Sequence, residues 1–318
     1  MKTQNKAHAL PQNKKSSFAK IKEWLPVYLM MLPGLIYLLI NNYVPMAGLV
    51  IAFKKINFTT GILDSPWVGF SNFEFLFKTK DAFIITRNTL LYNFAFIIIN
   101  TIMGIIIAIL ISEIRNKRLK SLYQSSVLLP FLMSYVIVSY IVFAFLSGDN
   151  GMFNNTILPA LGMNEINWYS SAKYWPFILV LVNLWKGVGY GVLIYIAGIA
   201  GIDSSYYEAA SLDGAKKLKQ VWHVTLPALV PSIITLTLLS IGRIFYSDFS
   251  LFYQVPMNSG MLYQTTQTID TYVYRGLLTL GNISMSSAAG FYQSCVGFVL
   301  VMASNLIVKK VSPDNALF

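Results

Sequence analysis

The chain has 318 residues, 55% of them hydrophobic and only 12% charged, and its mean hydropathy is +0.57. Soluble domains are about a quarter charged, so the composition excludes a soluble globular protein and points to a membrane protein. The net charge of +11 does not mark a nucleic-acid binder, because the 24 Lys and Arg residues lie between apolar runs instead of in one patch. The single cysteine, Cys295, sits in an apolar run and excludes an intrachain disulfide and a cysteine-built metal site.

Residues 1–24 form a basic tail with Lys2, Lys6, Lys14, Lys15, Lys20 and Lys22. The apolar stretch that follows, Leu25 to Ile40 and on to about residue 45, is longer than a signal-peptide core and lacks a small-residue cleavage site. About 20 such residues cross roughly 30 Å of hydrocarbon, so it reads as an uncleaved first span. Asn88–Ile111, Ser121–Leu146 and Ser284–Val308 carry no charge; Tyr174–Ile202 contains only Lys186, and Ala228–Phe249 only Arg243 and Asp248. In lipid the backbone must satisfy its own hydrogen bonds, and the ten-residue alternation of an outer-membrane barrel is absent. The prediction is an all-α polytopic membrane protein with six transmembrane helices, spanning about 25–45, 88–111, 121–146, 174–202, 228–249 and 284–308. No internal repeat or low-complexity linker interrupts it.

Basic residues set the orientation. Segments 1–24, 112–120, 203–227 and 309–318 hold 15 of the 24, and 54–87, 147–173 and 250–283 hold seven, although these three are longer. The first set is therefore expected inside, with N- and C-termini cytoplasmic and 309–318 a cytoplasmic tail. The outer segments are rich in turn residues (Gly61, Pro66, Gly69, Gly148, Asn150, Gly151, Pro159), and Trp24 and Trp175 fall at span ends, where aromatic belts are expected.

The inner segment 203–227 is more than a connector. Ser205 and Glu208 have capping-box spacing, so a short helix is expected from Tyr206. Ala209 and Ala210 let another surface approach, and Gly214 falls where a left-handed cap would end that helix. A second helix is expected from Ala215, with Leu218, Val221 and Trp222 on one face, and Pro227 restarting the chain toward the fifth span. Such a pair either lies on lipid as an amphipathic surface helix or docks on a protein; the pattern leaves both open.

The chain contains no Gly-Lys dipeptide, hence no P-loop, and its two histidines, His8 and His223, lie outside any hydrolytic cluster. It is not expected to be an enzyme, and ATP-driven work would need another subunit. A substrate path calls for in-span polar and aromatic groups. The candidates are Asn93, Asn100, Tyr135, Tyr140, Trp185, Lys186, Tyr190, Arg243, Tyr246 and Asp248. Lys186 either marks the path or pairs with Asp248 or backbone carbonyls. Arg243 and Asp248 either pair with each other or meet sugar hydroxyls. Gly187, Gly189 and Gly191 suit close packing, within the chain or against a partner.

Glu208-Ala209-Ala210, three residues, Gly214, nine residues, Val224, one residue and Leu226-Pro227 resemble the EAA loop of ABC importer permeases, with Val replacing the usual Ile. Further stretches, VPMAGLVIAFKKIN (Val44–Asn57), SPWVGFSNF (Ser65–Phe73), RNTL (Arg87–Leu90), LWKGVGYG (Leu184–Gly191) and TIDTYVYRGL (Thr268–Leu277), are similar to the LplB/YtcP-like branch of sugar permeases. The resemblance implies a type I ABC importer permease fold in a bacterial cell membrane, importing an oligosaccharide or polysaccharide fragment. It implies that Tyr207, Glu208, Ala209, Ala210, Asp213, Gly214, Ala215, Leu226 and Pro227 form a coupling loop docked on a cytoplasmic ATPase. The implied partners are a second homologous permease, two ATPase subunits that bind ATP and Mg, and an extracellular lipid-anchored or periplasmic solute-binding protein. No cofactor and no nucleic acid are expected. The competing readings are a secondary transporter and a membrane-embedded sensor or scaffold without an ATPase.

Overall fold

A computed structural model describes residues 17–57 and 59–311 together with Pro313 and Ala316. Most of the predicted basic tail and half of the 309–318 tail thus lie outside the described residues. The chain divides into two units, residues 1–50 and 51–318.

The first unit holds helix α1, Ser17–Leu38, which carries Pro26 and Pro33 within it. A π turn, Leu39–Tyr43, and the short helix Val44–Met46 prolong it. The whole of Trp24–Phe53 is apolar and long enough to cross a membrane.

The second unit is built of α2 (Lys80–Ser112), α3 (Lys117–Leu132), α4 (Tyr135–Leu146), α5 (Trp175–Ala200), α6 (Ser204–Leu212), α7 (Lys217–Ile241), α8 (Phe249–Gln254), α9 (Ile269–Leu280) and α10 (Ile283–Val311). Among the described residues the only β structure is the isolated bridge between Lys54 and Trp67. Side-chain caps fix several helix starts: Thr79 accepts from Ala82, Asn116 from Arg118 and Leu119, Ser134 from Ile137, and Asp248 from Leu251.

Helix α5 is central, packing along α2 and α3 and against α7. Tyr92, Phe96, Val138, Leu179 and Phe252 form one apolar cluster and Ala108, Val188, Tyr195, Ile196 and Leu229 another. Gly189 permits the close contact of α5 with α3, since a Cβ there would stand 2.4 Å from the Val127 carbonyl oxygen. This is packing within the chain. Trp175, expected in an interfacial belt, is instead fully buried and donates its indole N–H to the Trp168 carbonyl at 2.7 Å.

Two predicted spans are not single helices. Five helices among the described residues are long and apolar enough to cross a membrane. The stretch expected to be the third span is the α3–α4 pair, bent by 97°. Pro130 lies in the last turn of α3, Met133 is extended, and Ser134 caps a new helix. The other departure is at the fifth span, expected to reach Phe249. Helix α7 ends at Ile241, and Gly242–Asp248 is a non-helical bend before α8.

A polar cavity and an exposed coupling segment

The bend at 242–248 would leave backbone polar groups without partners, and at membrane depth these are costly. Side chains from three helices satisfy them. Asn93 of α2 donates its amide to the carbonyls of Ile244 (2.9 Å) and Tyr246 (3.0 Å). Gln293 of α10 donates to the Phe245 carbonyl at 2.6 Å. Asp270 of α9 accepts from the Ser247 N–H at 2.6 Å and its hydroxyl at 2.7 Å, and Gln293 donates to the same carboxylate at 3.3 Å. The bend is therefore built in by its surroundings.

It borders a cavity of about 440 Å³ between α2, α5 and the end of α7. Six of the sequence candidates meet there: Asn93, Asn100, Tyr190, Arg243, Tyr246 and Asp248. Asn100 donates to the Asn183 side-chain oxygen at 2.8 Å, and its own amide oxygen is buried without a partner. Tyr246 shares a hydrogen bond with Ser294 at 2.7 Å. Arg243 and Asp248 do not pair; Asp248 caps α8 and faces the Tyr135 hydroxyl, whereas the Arg243 side chain has no partner among the described residues.

The other four candidates, Tyr135, Tyr140, Trp185 and Lys186, lie outside the cavity wall. Tyr140 and Trp185 are exposed. Lys186 is buried, and its ammonium donates to the Phe131 carbonyl at 3.0 Å, with the Tyr135 ring centroid 4.7 Å away. That carbonyl is one of those freed where α3 ends, so the buried cation and the break satisfy each other.

Sequence reasoning missed Asn183, Asp270, Ser247 and Gln293. Their signal is present but weak: lone amides in apolar runs, and the Asp of the TIDTYVYRGL stretch.

The 203–227 segment departs from expectation in detail. Its helix, α6, starts earlier, at Ser204, and is capped by Asp203 accepting from the Ser205 N–H at 2.9 Å, not by the Ser205–Glu208 box. The Ser205 N–H holds the Asp203 carboxyl below its ordinary range. Gly214 is left-handed, at φ 74°, with Ala215 N–H on the Ala210 carbonyl and Gly214 N–H on that of Ser211, a Schellman termination. The second helix does not stop at Pro227. A π turn, Val221–Thr225, leads into Leu226–Ile241, where proline occupies a first-turn position that needs no N–H donor.

Two polar contacts fasten α6 to α7. The hydroxyls of Tyr207 and Thr225 are 3.0 Å apart, and buried Gln220 donates to Ser211 Oγ and the Ala215 carbonyl. Glu208, Ala209, Asp213, Gly214 and Pro227 are exposed, and Ala210, Ala215 and Leu226 are half-buried. Leu212, Leu218 and Trp222 are 89%, 71% and 63% exposed beside Lys216, Lys217, Lys219 and His223.

A polar cavity among membrane-length helices defines a membrane transport component. Over residues 100–313 the sequence matches the binding-protein-dependent transport system inner membrane components, and the chain belongs to that family of ABC permeases. It is 36% identical to protein LplB of Bacillus subtilis (strain 168) over 93% of this chain and 92% of that one. It is also 36% identical to the same organism's polygalacturonan/rhamnogalacturonan transport system permease protein YteP, over 96% and 94%. A chain of a bacterial ABC transporter for import of the acidic polysaccharide alginate superposes with a TM-score of 0.84 at 30% identity, over 93% of this chain and 99% of that one. A second structure of a bacterial alginate ABC transporter, in complex with an alginate-pentasaccharide-bound periplasmic protein, matches equally well.

Proposed function

We propose that the chain is the permease subunit of an ATP-driven importer of oligosaccharides or polysaccharide fragments. The observation that carries this reading is the cavity at the break after α7, where side-chain amides, tyrosines and two ionic groups converge as a sugar site requires. The printed roles of the relatives, polygalacturonan and alginate transport, support the same substrate class.

Both termini are cytoplasmic in this reading, so α6 with Gly214 faces the cytoplasm and docks on an ATPase. The partners are a second homologous permease, two ATPase subunits that bind ATP and Mg, and a solute-binding protein outside the membrane. Closure of the ATPases moves α6. Tyr207–Thr225 and Gln220–Ser211 pass that motion to α7, whose far end carries the bend bordering the cavity. The 25 residues of α7, at about 1.5 Å each, make a rod of roughly 37 Å.

The test is co-purification from cells expressing the neighbouring transport genes, followed by uptake of labelled oligosaccharides into proteoliposomes. Recovery with an ATPase and uptake that stops when internal ATP is omitted are expected. Recovery without an ATPase, with uptake driven by an ion gradient, would replace this reading with a secondary transporter.

A further inference from the structure

The charges around the cavity are unequal in their commitments. Arg243 sits just past the end of a membrane-length helix, and its guanidinium makes no hydrogen bond or ion pair with any described residue. A charge placed there without a partner is costly unless something else meets it. Asp248 lines the same cavity but is engaged, accepting the Leu251 N–H at the start of α8 and facing the Tyr135 hydroxyl. Lys186 stands behind the wall, one residue from cavity-lining Gly187, with its ammonium 4.7 Å from the ring of that same tyrosine. The site thus has two cations near one anion, and the cation that is free faces the open volume.

A bland account would have Arg243 complement the helix dipole at the end of α7. That role wants the guanidinium on the last carbonyls, and none accepts from it. The alternative follows from its donor set: a planar fork suited to a carboxylate. The neighbouring amides of Asn93, Asn100 and Asn183 and the rings of Tyr190 and Tyr246 suit the hydroxyls and faces of the sugar bearing it.

Resting on the permease reading above, we infer that the imported saccharide carries carboxylates, as an oligouronate does, and that Arg243 is the specificity-determining residue that binds them. Asp248, fixed on α8, marks where carboxylates are not accommodated.

The experiment uses the assembled transporter in proteoliposomes with three matched probes: oligogalacturonates, their methyl esters, and the same oligomers with carboxyls reduced to alcohols. Wild type is expected to favour the acid over both neutral forms by about tenfold or more in uptake efficiency, as a charge-assisted contact implies. Arg243→Gln should lose that preference, its uptake of the acid falling about tenfold or more further than its uptake of the neutral forms, with Arg243→Lys between the two. An Arg243→Gln protein that lowers all three probes alike, or none, overturns the assignment. The ester comparison in wild type needs no variant, so a misfolded Arg243→Gln does not rescue the claim. If wild type carries the neutral forms and refuses the acid, or carries none of the three, the inference fails; the permease reading is decided separately, by recovery with an ATPase and by the ATP dependence of uptake.

Discussion

Lys186 shows how one residue can be legible in sequence while its role stays open between two readings, of which the structure shows the pairing with a backbone carbonyl. A lone cation in an apolar run announces a partner or a path, and the run itself offers no way to choose. The choice is made 55 residues earlier, where α3 stops and leaves the Phe131 carbonyl without an intrahelical donor. Lys186→Met should remove that donor while keeping the chain's bulk. A buried carbonyl left unsatisfied costs about 1–3 kcal/mol, so the purified protein should melt several degrees lower in detergent. An unchanged melting temperature would mean that the contact does not hold the break.

Gly214 is the opposite case, since its role was readable from spacing alone. The structure adds why glycine is needed: φ is 74°, and a Cβ would meet nothing within 4 Å. The cost of a side chain is therefore backbone strain, about 1–2 kcal/mol, together with bulk on a surface the chain leaves open. Gly214→Val should insert normally yet lose substrate-stimulated ATP hydrolysis in the assembled complex. Gly214→Asn should lose less, because Asn tolerates the left-handed region. Equal activity of the two would separate the effect from backbone conformation.

Among elements, the helices were readable from hydropathy and their breaks were not. Proline is not the deciding signal: Pro26 and Pro33 lie within α1 and Pro231 within α7 without ending either helix, yet α3 ends two residues after Pro130. What distinguishes the breaks is tertiary supply of hydrogen bonds, from Lys186 at one and from Asn93, Gln293 and Asp270 at the other. Those partners are distant in sequence, so no local window reveals them. At the second break Asp270 bonds the Ser247 N–H, its hydroxyl and the Gln293 amide, and its loss should loosen the bend. Asp270→Asn keeps an acceptor and should cost about 1 kcal/mol, with Asp270→Ala costing more. A single cysteine replacing Tyr246, in a Cys295→Ser background, should react faster with a water-soluble thiol reagent in the order wild type, Asn, Ala. Identical rates would show that the bend is held without Asp270.

For the whole molecule, the question sequence left open is whether the 203–227 segment lies on lipid or on a protein. The structure sharpens it. Leu212, Leu218 and Trp222 are exposed, but Lys216, Lys217, Lys219 and His223 are interleaved with them, and α6 is tied to α7 by buried Gln220. A lipid-lying helix separates a continuous apolar face from a cationic one, and this segment mixes the two around a glycine-terminated turn. A protein cleft accommodates such a surface, because isolated apolar anchors can enter pockets while charges stay at the rim. A variant retaining Trp222 as its only tryptophan distinguishes the two in one sample. In bilayers containing brominated lipid its fluorescence should be quenched weakly, and adding the cognate ATPase should shift its emission to the blue as the indole leaves water. Strong quenching by the brominated lipid, with no response to the ATPase, would place Trp222 in the bilayer and remove it from the coupling surface. The same variant with Leu218→Ala should bind the ATPase more weakly while remaining in the membrane, because five further apolar elements, and not this segment, anchor the chain there.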